Sequence, residues 1–345
     1  MTTLKEIAER VGVSISTVSR VINQNDSRRI SEETKQKIWK AAKEMNYSST
    51  RRAKSAKTKQ GKDASLNRPA IGCILALQDN KYNHPYFSPI IQGIEAKLLE
   101  RGLSMAFLHT QAELHNEAVV ESMLEVTNLQ GIICIEGLSK DLYKRLKGRV
   151  PLLVGIDVND PDIPVVTYDR VAAAQMAVRH LIERGHTRIG FIGGIGLSGS
   201  LDREKRYAGY RKTLEEHGLE CRDEWVINTN WDADESYQRM KELLELAERP
   251  TAMFSASDML AIGAMRAAVE AGMSLPLDMS FVGIDDIEFS RYTAPPLTTV
   301  HVPKYEMGYA AAKIMVDSMD EAYPFPFRMQ VPVQLKKRQS VHPMN

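Results

Sequence analysis

The sequence contains few of the residue patterns that covalent catalysis or metal binding requires. Its 345 residues include three cysteines, which have neither the even number of a disulfide framework nor the close spacing of zinc ligands. The eight histidines show no HExxH-type spacing, and no serine lies in a nucleophile-elbow motif. The adjacent carboxylates Asp285 and Asp286 are expected to point in different directions. We therefore expect no metal, no cofactor and no enzymatic activity.

The sequence also lacks a long apolar run, a signal peptide and a transit peptide. Because a transmembrane helix needs about 20 consecutive apolar residues, we expect no membrane partner and a cytoplasmic location. Cys73 and Cys134 lie in apolar, strand-like runs and are expected to be buried, whereas Cys221 lies in a polar stretch.

The net charge of +1 hides an asymmetry along the chain. Residues 1–62 carry 15 basic and 6 acidic side chains, and the remainder carries 30 basic and 38 acidic ones. A basic N-terminal module joined to an acidic body indicates a polyanionic partner for the first part of the chain only.

A short stretch near the start predicts a tight turn followed by a helix. Gly12 permits a left-handed turn, and Ser14 is a good N-cap for a helix that begins at Ile15. At helical spacing, Val18, Val21 and Ile22 form an apolar face. The opposite face consists of Ile15, Ser16, Ser19, Arg20 and Asn23. This face suits the DNA major groove, because Arg can read guanine and hydroxyl groups can hold phosphates. The alternative is an ordinary surface helix of a small bundle.

The flanking segments complete a three-helix domain. Leu4, Ile7, Ala8 and Val11 repeat at helical spacing behind a capping box. Ser31 is placed to cap a third helix, whose expected buried side is formed by Ile38, Trp39, Ala42 and Met45. We therefore predict a helix-turn-helix headpiece over residues 1–47. Residues 48–68 are rich in Lys, Arg, Ser and Ala and are predicted to be a flexible tether.

The rest of the chain alternates short apolar runs with amphipathic helices. One series begins at Ala70, with predicted helices at 89–101 and 113–126, and a second begins at Arg188, with a predicted helix at 202–217. This alternation predicts an α/β body of parallel sheets in two lobes, with a ligand in the cleft at the carboxyl ends of the strands. We place lobe 1 at about 69–157 plus 287–320, and lobe 2 at about 158–286 plus 321–345.

One glycine-rich loop permits another interpretation. The stretch from Gly194 to Gly199 formally satisfies GxGxxG. A dinucleotide site would also need a helix opening at the third glycine and an acidic residue ending the next strand, and neither is clear. We favour a flexible loop that lines the cleft.

The motifs closely resemble those of the LacI/GalR family of bacterial repressors. The resemblance rests on Leu4-Lys5-Glu6-Ile7-Ala8, on the stretch from Val13 to Asn23, on Ser257-Asp258-x-x-Ala261, and on Val282-Gly283-x-Asp285-Asp286. It implies a homodimer that binds a pseudo-palindromic operator in double-stranded DNA, with a body similar to periplasmic sugar-binding proteins.

The resemblance assigns roles to the DNA-contacting residues. Ile15, Ser16 and Arg20 occupy base-reading positions, while Thr17, Ser19 and Asn23 occupy backbone-contacting or supporting ones, with Ser14 capping the helix. In the family, part of the tether folds into a hinge helix on the operator, and a leucine kinks the minor groove. Ala56 stands at the leucine position here, a departure that puts the kink in doubt, although the segment with Arg51 and Ala53 is still able to form a groove-lying helix.

The resemblance also suggests an effector site. Tyr86 and Phe87 are placed at the cleft, Arg206 at a position that holds sugar hydroxyls, and Trp231 at one that stacks on a sugar ring. Asp285 matches a hydroxyl-binding carboxylate. The alternatives are a surface salt bridge for Arg206 and a loop-anchoring role for Trp231. Asp258 is expected to cap a helix and leave Ser257 as the contact, while Asp169 either belongs to the site or caps the following helix.

We therefore expect a sugar-responsive transcriptional repressor, released from its operator by a small sugar effector. The stretch from Pro85 to Glu95 looks most like regulators of β-galactoside use. One alternative is a corepressor-dependent regulator that binds a purine or another small molecule. Another is a sugar-acting enzyme fused to a DNA-binding domain.

Arg20→Ala removes the expected base-reading guanidinium. Operator discrimination should fall by about 1–3 kcal/mol, measured as the ratio of dissociation constants for operator and random duplex. Arg10→Ala, which removes the same charge from the preceding helix, is the control. An unchanged ratio in Arg20→Ala would exclude Arg20 as a base reader.

Overall fold

The computed structural model describes residues 4–22, 30–31, 34–35, 37–38, 40–41, 69–76, 83–195, 199–321 and 323–344. The chain divides into two compact units, Met1–Lys62 and Asp63–Asn345, which we describe separately. None of the helices in these described parts is long and apolar enough to cross a membrane. The whole of the predicted tether, 48–68, lies outside the described residues.

The N-terminal unit contains the predicted turn between two helices. Helix α1 (Leu4–Val11) ends at Gly12, whose φ of 73° lets the chain turn into α2 (Ile15–Ile22). Ser14 Oγ accepts a hydrogen bond from the Thr17 amide at 3.1 Å, as expected of an N-cap. The described core consists of Ile7, Ala8, Val18, Val21, Ile38 and Ala41.

Ser31 begins the third helical segment of this unit. Its hydroxyl accepts from the Thr34 amide at 3.3 Å, which confirms the predicted cap. Ile38 is buried, as expected, and so is Ala41. The predicted core residues Trp39, Ala42 and Met45 lie outside the described residues.

The first sheet of the body has six strands: β1 (Ala70–Leu75), β2 (Met105–Thr110), β3 (Leu129–Ile135), β4 (Leu153–Ile156), β5 (Val165–Tyr168) and β11 (Arg328–Val331). All are parallel, and their order in the sheet is β2-β1-β3-β4-β5-β11. Helices α3 (Phe87–Glu100) and α10 (Lys304–Asp320) cover one face, and α4 (Glu117–Leu124) and α5 (Lys140–Arg149) cover the other.

The second sheet also has six strands: β6 (Ile189–Gly193), β7 (Val226–Asn228), β8 (Ala252–Ser255), β9 (Ser280–Asp285), β10 (Thr298–His301) and β12 (Gln334–Lys336). Their order in the sheet is β7-β6-β8-β9-β10-β12, and of these strands only β12 is antiparallel to its neighbour. Helices α6 (Arg170–Glu183) and α7 (Lys205–Glu216) cover one face, and α8 (Ala233–Leu244) and α9 (Asp258–Glu270) cover the other.

The α/β architecture in two lobes is confirmed, but the predicted lobe boundaries are wrong. Strands β5 and β11 belong to the first sheet, although both were assigned to lobe 2, and β10 belongs to the second sheet, although it was assigned to lobe 1. The chain therefore crosses between lobes after β5, after β10 and after β11. These four-residue strands have no regular helix–strand spacing around them, so the alternation gave no signal for them.

Two predicted helices begin later than expected, and in both a side-chain cap inside the predicted segment is the cause. The segment 113–126 divides into a 3₁₀ turn, Glu113–His115, and α4, because Asn116 is extended and its side chain caps Ala118. The segment 202–217 divides at Glu204, whose carboxylate accepts from two amides at the start of α7. A side chain that caps the backbone ends one helical turn and starts the next helix. Cys73 and Cys134 are buried, as predicted.

Gly308→Ala tests the close packing of α3 on α10. A Cβ at Gly308 would lie 1.9 Å from the carbonyl oxygen of Ile90, so the helices would have to separate. The free energy of unfolding should fall by about 1–3 kcal/mol, measured by urea denaturation. Gly148→Ala in α5, where a Cβ meets nothing within 4 Å, is the control. Gly148→Ala should raise the free energy of unfolding by about 0.5–1 kcal/mol. If Gly308→Ala were as stable as the wild type, the close packing of α3 on α10 would be contradicted.

Candidate functional site

Polar and aromatic side chains gather where the strands of both sheets end. Six residues define this group, which we call the interlobe cluster: Glu136, Asp157 and Tyr168 from the first lobe, and Arg206, Trp231 and Asp285 from the second. Burial raises the pKa of the Tyr168 hydroxyl, and the charges of Arg206 and Asp285 act on the same group, so the two walls lie close together. Ligands of parallel α/β folds bind at this edge.

The backbone is strained at the same edge. Seven described residues other than glycine have a positive φ, and six of them follow or end strands at this edge. Each such residue costs of order 1–3 kcal/mol, and such strain concentrates at functional sites. The six are Glu136 (62°), Asp157 (57°), Asn230 (48°), Trp231 (68°), Asp285 (119°) and Asp286 (52°).

Arg206 lies in the first turn of α7 and is buried, so it is not the surface ion pair considered as the alternative. Its Nε donates to Glu204 Oε1 at 2.8 Å, and its Nη1 donates to the Ala256 carbonyl at 3.2 Å. The guanidinium lies 4.2 Å from the centre of the Trp231 ring. The cation, the acid and the ring therefore hold one another in place before any ligand arrives.

Gly194 makes room for Trp231, which explains one glycine of the GxGxxG stretch. A Cβ at Gly194 would lie 2.8 Å from both the backbone nitrogen and Nε1 of Trp231. No helix opens at Gly199, because a 3₁₀ turn follows and α7 begins only at Lys205. The strand β7 ends in Asn228, which is not acidic. The dinucleotide interpretation is therefore wrong, although residues 196–198 lie outside the described residues.

The predicted helix cap is wrong, because Ser257 and not Asp258 caps α9. Ser257 Oγ accepts from the Met259 amide at 3.2 Å and caps α9. Asp258 does not cap the helix but is fully buried, accepting from the Ile287 amide at 2.9 Å and from Thr299 Oγ1 at 2.6 Å. Asp258 is the first residue of α9, and its side chain points inward to these two partners near β9 and β10, which explains why it does not cap the helix. The Ser257 hydroxyl also hydrogen-bonds Asp285.

Asp285 is buried at the end of β9 beside the ammonium group of Lys304. Burial raises the pKa of Asp285 to about 6, although the charges of Lys304 and Arg206 act in the opposite direction. Lys304 Nζ donates to the carbonyl oxygens of Asp285, Asp286 and Val302.

Asp286 points away from its neighbour, as expected. One carboxylate oxygen accepts from Arg338 Nη2 at 2.5 Å, and the other lies 3.0 Å from His301 Nδ1. Burial alone would raise the pKa of Asp286, but these two hydrogen bonds outweigh it and hold the pKa below its usual range. The two adjacent acids therefore have separate partners.

On the first-lobe wall, Tyr86 and Phe87 pack edge to face with ring centres 5.0 Å apart, and both are buried. Burial raises the pKa of Tyr86, and the charges of Asp157 and Glu136 add to that shift, so these groups are neighbours. Asp169 accepts from the Ala172 amide at 2.9 Å, which is the helix-capping contact of its two alternatives.

Four residues near this wall were missed by the sequence reasoning: Glu136, Asp157 and Tyr168 of the first lobe, and Arg170, the first residue of α6 in the second lobe. Arg170 Nη2 donates to Glu136 Oε1 at 2.9 Å and lies 3.4 Å from Asp157 Oδ2. Glu136 and Asp157 each follow an apolar strand directly, and this position at the carboxyl end of a strand is the signal that could have identified them. Tyr168 and Arg170 had no such signal, because β5 was not predicted.

The expected DNA-contacting residues are only partly described. Ile15 is 48% exposed, and the Thr17 and Ser14 hydroxyls lie 2.8 Å apart. The side chains of Ser16, Ser19 and Arg20 lie outside the described residues, as do Asn23, Arg51, Ala53 and Ala56. A search of the described part of the chain finds no group of three or more side chains that could hold a metal ion.

Comparison with known proteins gives matches to both units. Residues 3–49 match the model described as bacterial regulatory proteins, lacI family, and residues 178–341 match a periplasmic binding protein-like domain. The chain is 33% identical, over 352 residues and the full length of both proteins, to the HTH-type transcriptional repressor PurR of Actinobacillus pleuropneumoniae serotype 3 (strain JL03).

Solved structures give the same result for the fold. A complex of the transcriptional regulator CelR with cellobiose is 26% identical with a TM-score of 0.71, and covers 99% of this chain and 100% of that one. A lac repressor dimer bound to operator and the anti-inducer ONPF is 26% identical with a TM-score of 0.69, and covers 99% of both chains.

Asp285→Asn tests the buried carboxyl. With a pKa near 6, folded Asp285 binds protons between about pH 4 and 6 more readily than the unfolded chain does, so its contribution to stability falls as pH rises through that window. The Tm of Asp285→Asn relative to the wild type should therefore rise between pH 4.5 and 7.5, measured by differential scanning fluorimetry. Exposed Asp141→Asn should show no such trend. A pH-independent difference for Asp285→Asn would contradict the raised pKa.

Proposed function

The chain belongs to the LacI family of bacterial regulatory proteins and is a DNA-binding transcriptional repressor, and from that premise we propose that a small sugar at the interlobe cluster releases it from its operator. The family consists of transcriptional regulators rather than enzymes, and it acts on DNA in the cytoplasm. The further proposals concern the effector, the residues that bind it and the direction of its effect.

The observation that carries the sugar proposal is the Arg206–Trp231–Asp285 arrangement. Sugar sites combine an aromatic face for the C–H surface of the ring with charged groups that donate to and accept from hydroxyls. Trp231 supplies the ring, Arg206 the donors and Asp285 the acceptor, and all three are held at one edge of the second sheet. One solved relative is bound to cellobiose and another LacI-family regulator, from Enterococcus faecium, to ribose. Among sugars, β-galactosides are the candidates suggested by the Pro85–Glu95 stretch.

The DNA-binding proposal rests on α2. Its described apolar residues Val18 and Val21 are buried in the headpiece, while Ile15 is exposed. We propose that Ile15, Ser16 and Arg20 read the bases of one half-site and that a homodimer reads both halves of a pseudo-palindrome.

A coupling between effector and operator needs two arrangements of the lobes that differ in affinity for both. The proposed effector contacts come from both lobes, Tyr86 and Tyr168 on one side and Arg206 and Asp285 on the other. A ligand that bridges these walls therefore favours one arrangement, and the tether that leaves the first lobe transmits the change to the headpieces.

A corepressor that strengthens operator binding is the second candidate, and the 33% identity to proteins named PurR favours it. The two candidates predict opposite signs. In a gel-shift assay a sugar inducer releases the operator, whereas a purine corepressor tightens the complex.

Arg206→Ala tests the effector site. We expect a screen of mono- and disaccharides on the full chain to find a ligand that stabilises the wild type by about 2.7 kcal/mol at roughly 100 times its dissociation constant. Arg206→Ala should abolish that thermal shift and the ligand's effect in the gel shift while leaving operator binding intact.

Arg211→Ala is the matched control, because Arg211 lies on the same helix but is exposed and pairs with Asp202. It should respond like the wild type. A normal response of Arg206→Ala would exclude the role proposed for Arg206, and a thermal shift with purines but with no sugar would favour the corepressor.

A further inference from the structure

At the interlobe cluster, Tyr86 and Asp157 of the first lobe and Arg170 at the start of α6 in the second lobe form one polar wall, which we call the Arg170 wall, and its atoms are incompletely hydrogen-bonded within the described part of the chain. Among the described residues, the Tyr86 hydroxyl and Arg170 Nε are buried without a hydrogen-bond partner, and Asp157 Oδ2 has only its ion pair with Arg170. The Asp157 side chain is 2% exposed. A buried polar atom without a partner is unfavourable, so a ligand that supplies the missing hydrogen bond gains affinity. Two donors and one acceptor on one wall suit a ligand that carries several hydroxyl groups.

The charges on this wall do not balance. The single guanidinium of Arg170 faces two carboxylates, because its Nη2 lies 2.9 Å from Glu136 Oε1 and 3.4 Å from Asp157 Oδ2. These three groups together carry a net charge of about −1. A ligand anion placed against them would meet a like charge in a poorly solvated site, where such repulsion is strong.

The cations Arg206 and Lys304 also have partners within the chain, so neither is a free counter-charge for an anion. Arg206 Nε is held by Glu204 at 2.8 Å, and the ring of Trp231 covers the guanidinium face. Lys304 Nζ is directed at three backbone carbonyls. Both cations are already compensated by groups of the chain.

Three helix starts of the second lobe at this edge are likewise occupied. Backbone amides at a helix N-terminus are a common anion site. Here Asp169 caps α6, Glu204 caps α7 and Ser257 caps α9, each through its own side-chain oxygen. Two of these three caps are carboxylates, so they place negative charge where a phosphate would otherwise bind.

We propose that the site selects an uncharged effector, and that Glu136 and Arg170 are specificity-determining residues that bind neutral hydroxyls and exclude phosphorylated or carboxylated sugars. This proposal rests on the proposed function, since it concerns the ligand of the same site. It narrows the effector to neutral sugars and glycosides.

The test compares ligands of equal size and different charge on the full chain. The probes are galactose, galacturonate and galacturonamide, together with the corresponding three derivatives of glucose, each titrated in a thermal-shift assay. In the wild type the sugar and the uronamide should raise Tm, while the uronate should require at least a tenfold higher concentration for a half-maximal shift.

Glu136→Gln leaves Arg170 paired with Asp157 alone and makes the wall neutral. The concentration of uronate for a half-maximal shift should then fall at least tenfold, while that of the uronamide changes less than threefold. Glu215→Gln removes the same charge from an exposed position on α7 and should leave both values unchanged.

Equal responses of the wild type to uronate and uronamide would reject selection by charge while leaving sugar sensing intact. This comparison needs no variant, so it decides the question even if Glu136→Gln does not fold. An unimproved uronate response in a folded Glu136→Gln would exclude Glu136 as the selecting group. No shift with any neutral sugar or derivative would reject the proposed function itself, and this inference with it.

Discussion

The interlobe cluster depends on one buried ammonium group at a crossing between the lobes. Lys304 is the first residue of α10, a helix of the first lobe, yet its Nζ donates to carbonyl oxygens at the end of β9 in the second lobe. Lysine is rarely buried unless it is paired. Burial lowers the pKa of Lys304, while Asp285 and Asp258 act to raise it. The ammonium satisfies carbonyls of the left-handed residues Asp285 and Asp286, and so holds the Asp285 carboxylate in position.

At other positions of the site, too, a strained backbone is held by contacts from distant parts of the chain. Positive φ values at Glu136, Asp157 and Trp231 are unfavourable locally, and each is offset by a contact that only the folded body provides. Trp231 packs on Gly194 and Arg206, and the two acids pair with Arg170. The strained backbone turns these side chains away from the path of their strands. A ligand meets groups whose orientation is already determined by the chain.

Sequence patterns predicted the parts of this arrangement that depend on local chemistry. The Ser14 cap, the Gly12 turn, the alternating strands and helices, and the burial of Cys73 and Cys134 all follow from short-range rules. Arg206, Trp231 and Asp285 were located through resemblance, and the structure brings them together. The cap of α9 was assigned to Asp258 instead of Ser257, because sequence cannot tell which of two adjacent polar residues turns inward. Arg170 was missed because its partners are distant in sequence and because β5 follows β4 without a helix between them, outside the regular alternation.

The three crossings between the lobes have a consequence for the integrity of the body. The edge strand β11 of the first sheet comes from residues 328–331, and β10 and β12 of the second sheet lie on either side of it in the chain. Neither lobe is a continuous stretch of the gene. A stop codon or a proteolytic cut followed by loss of the last 20 residues would remove an edge strand from each sheet at once, so damage at the C-terminus spreads to both halves of the sensor.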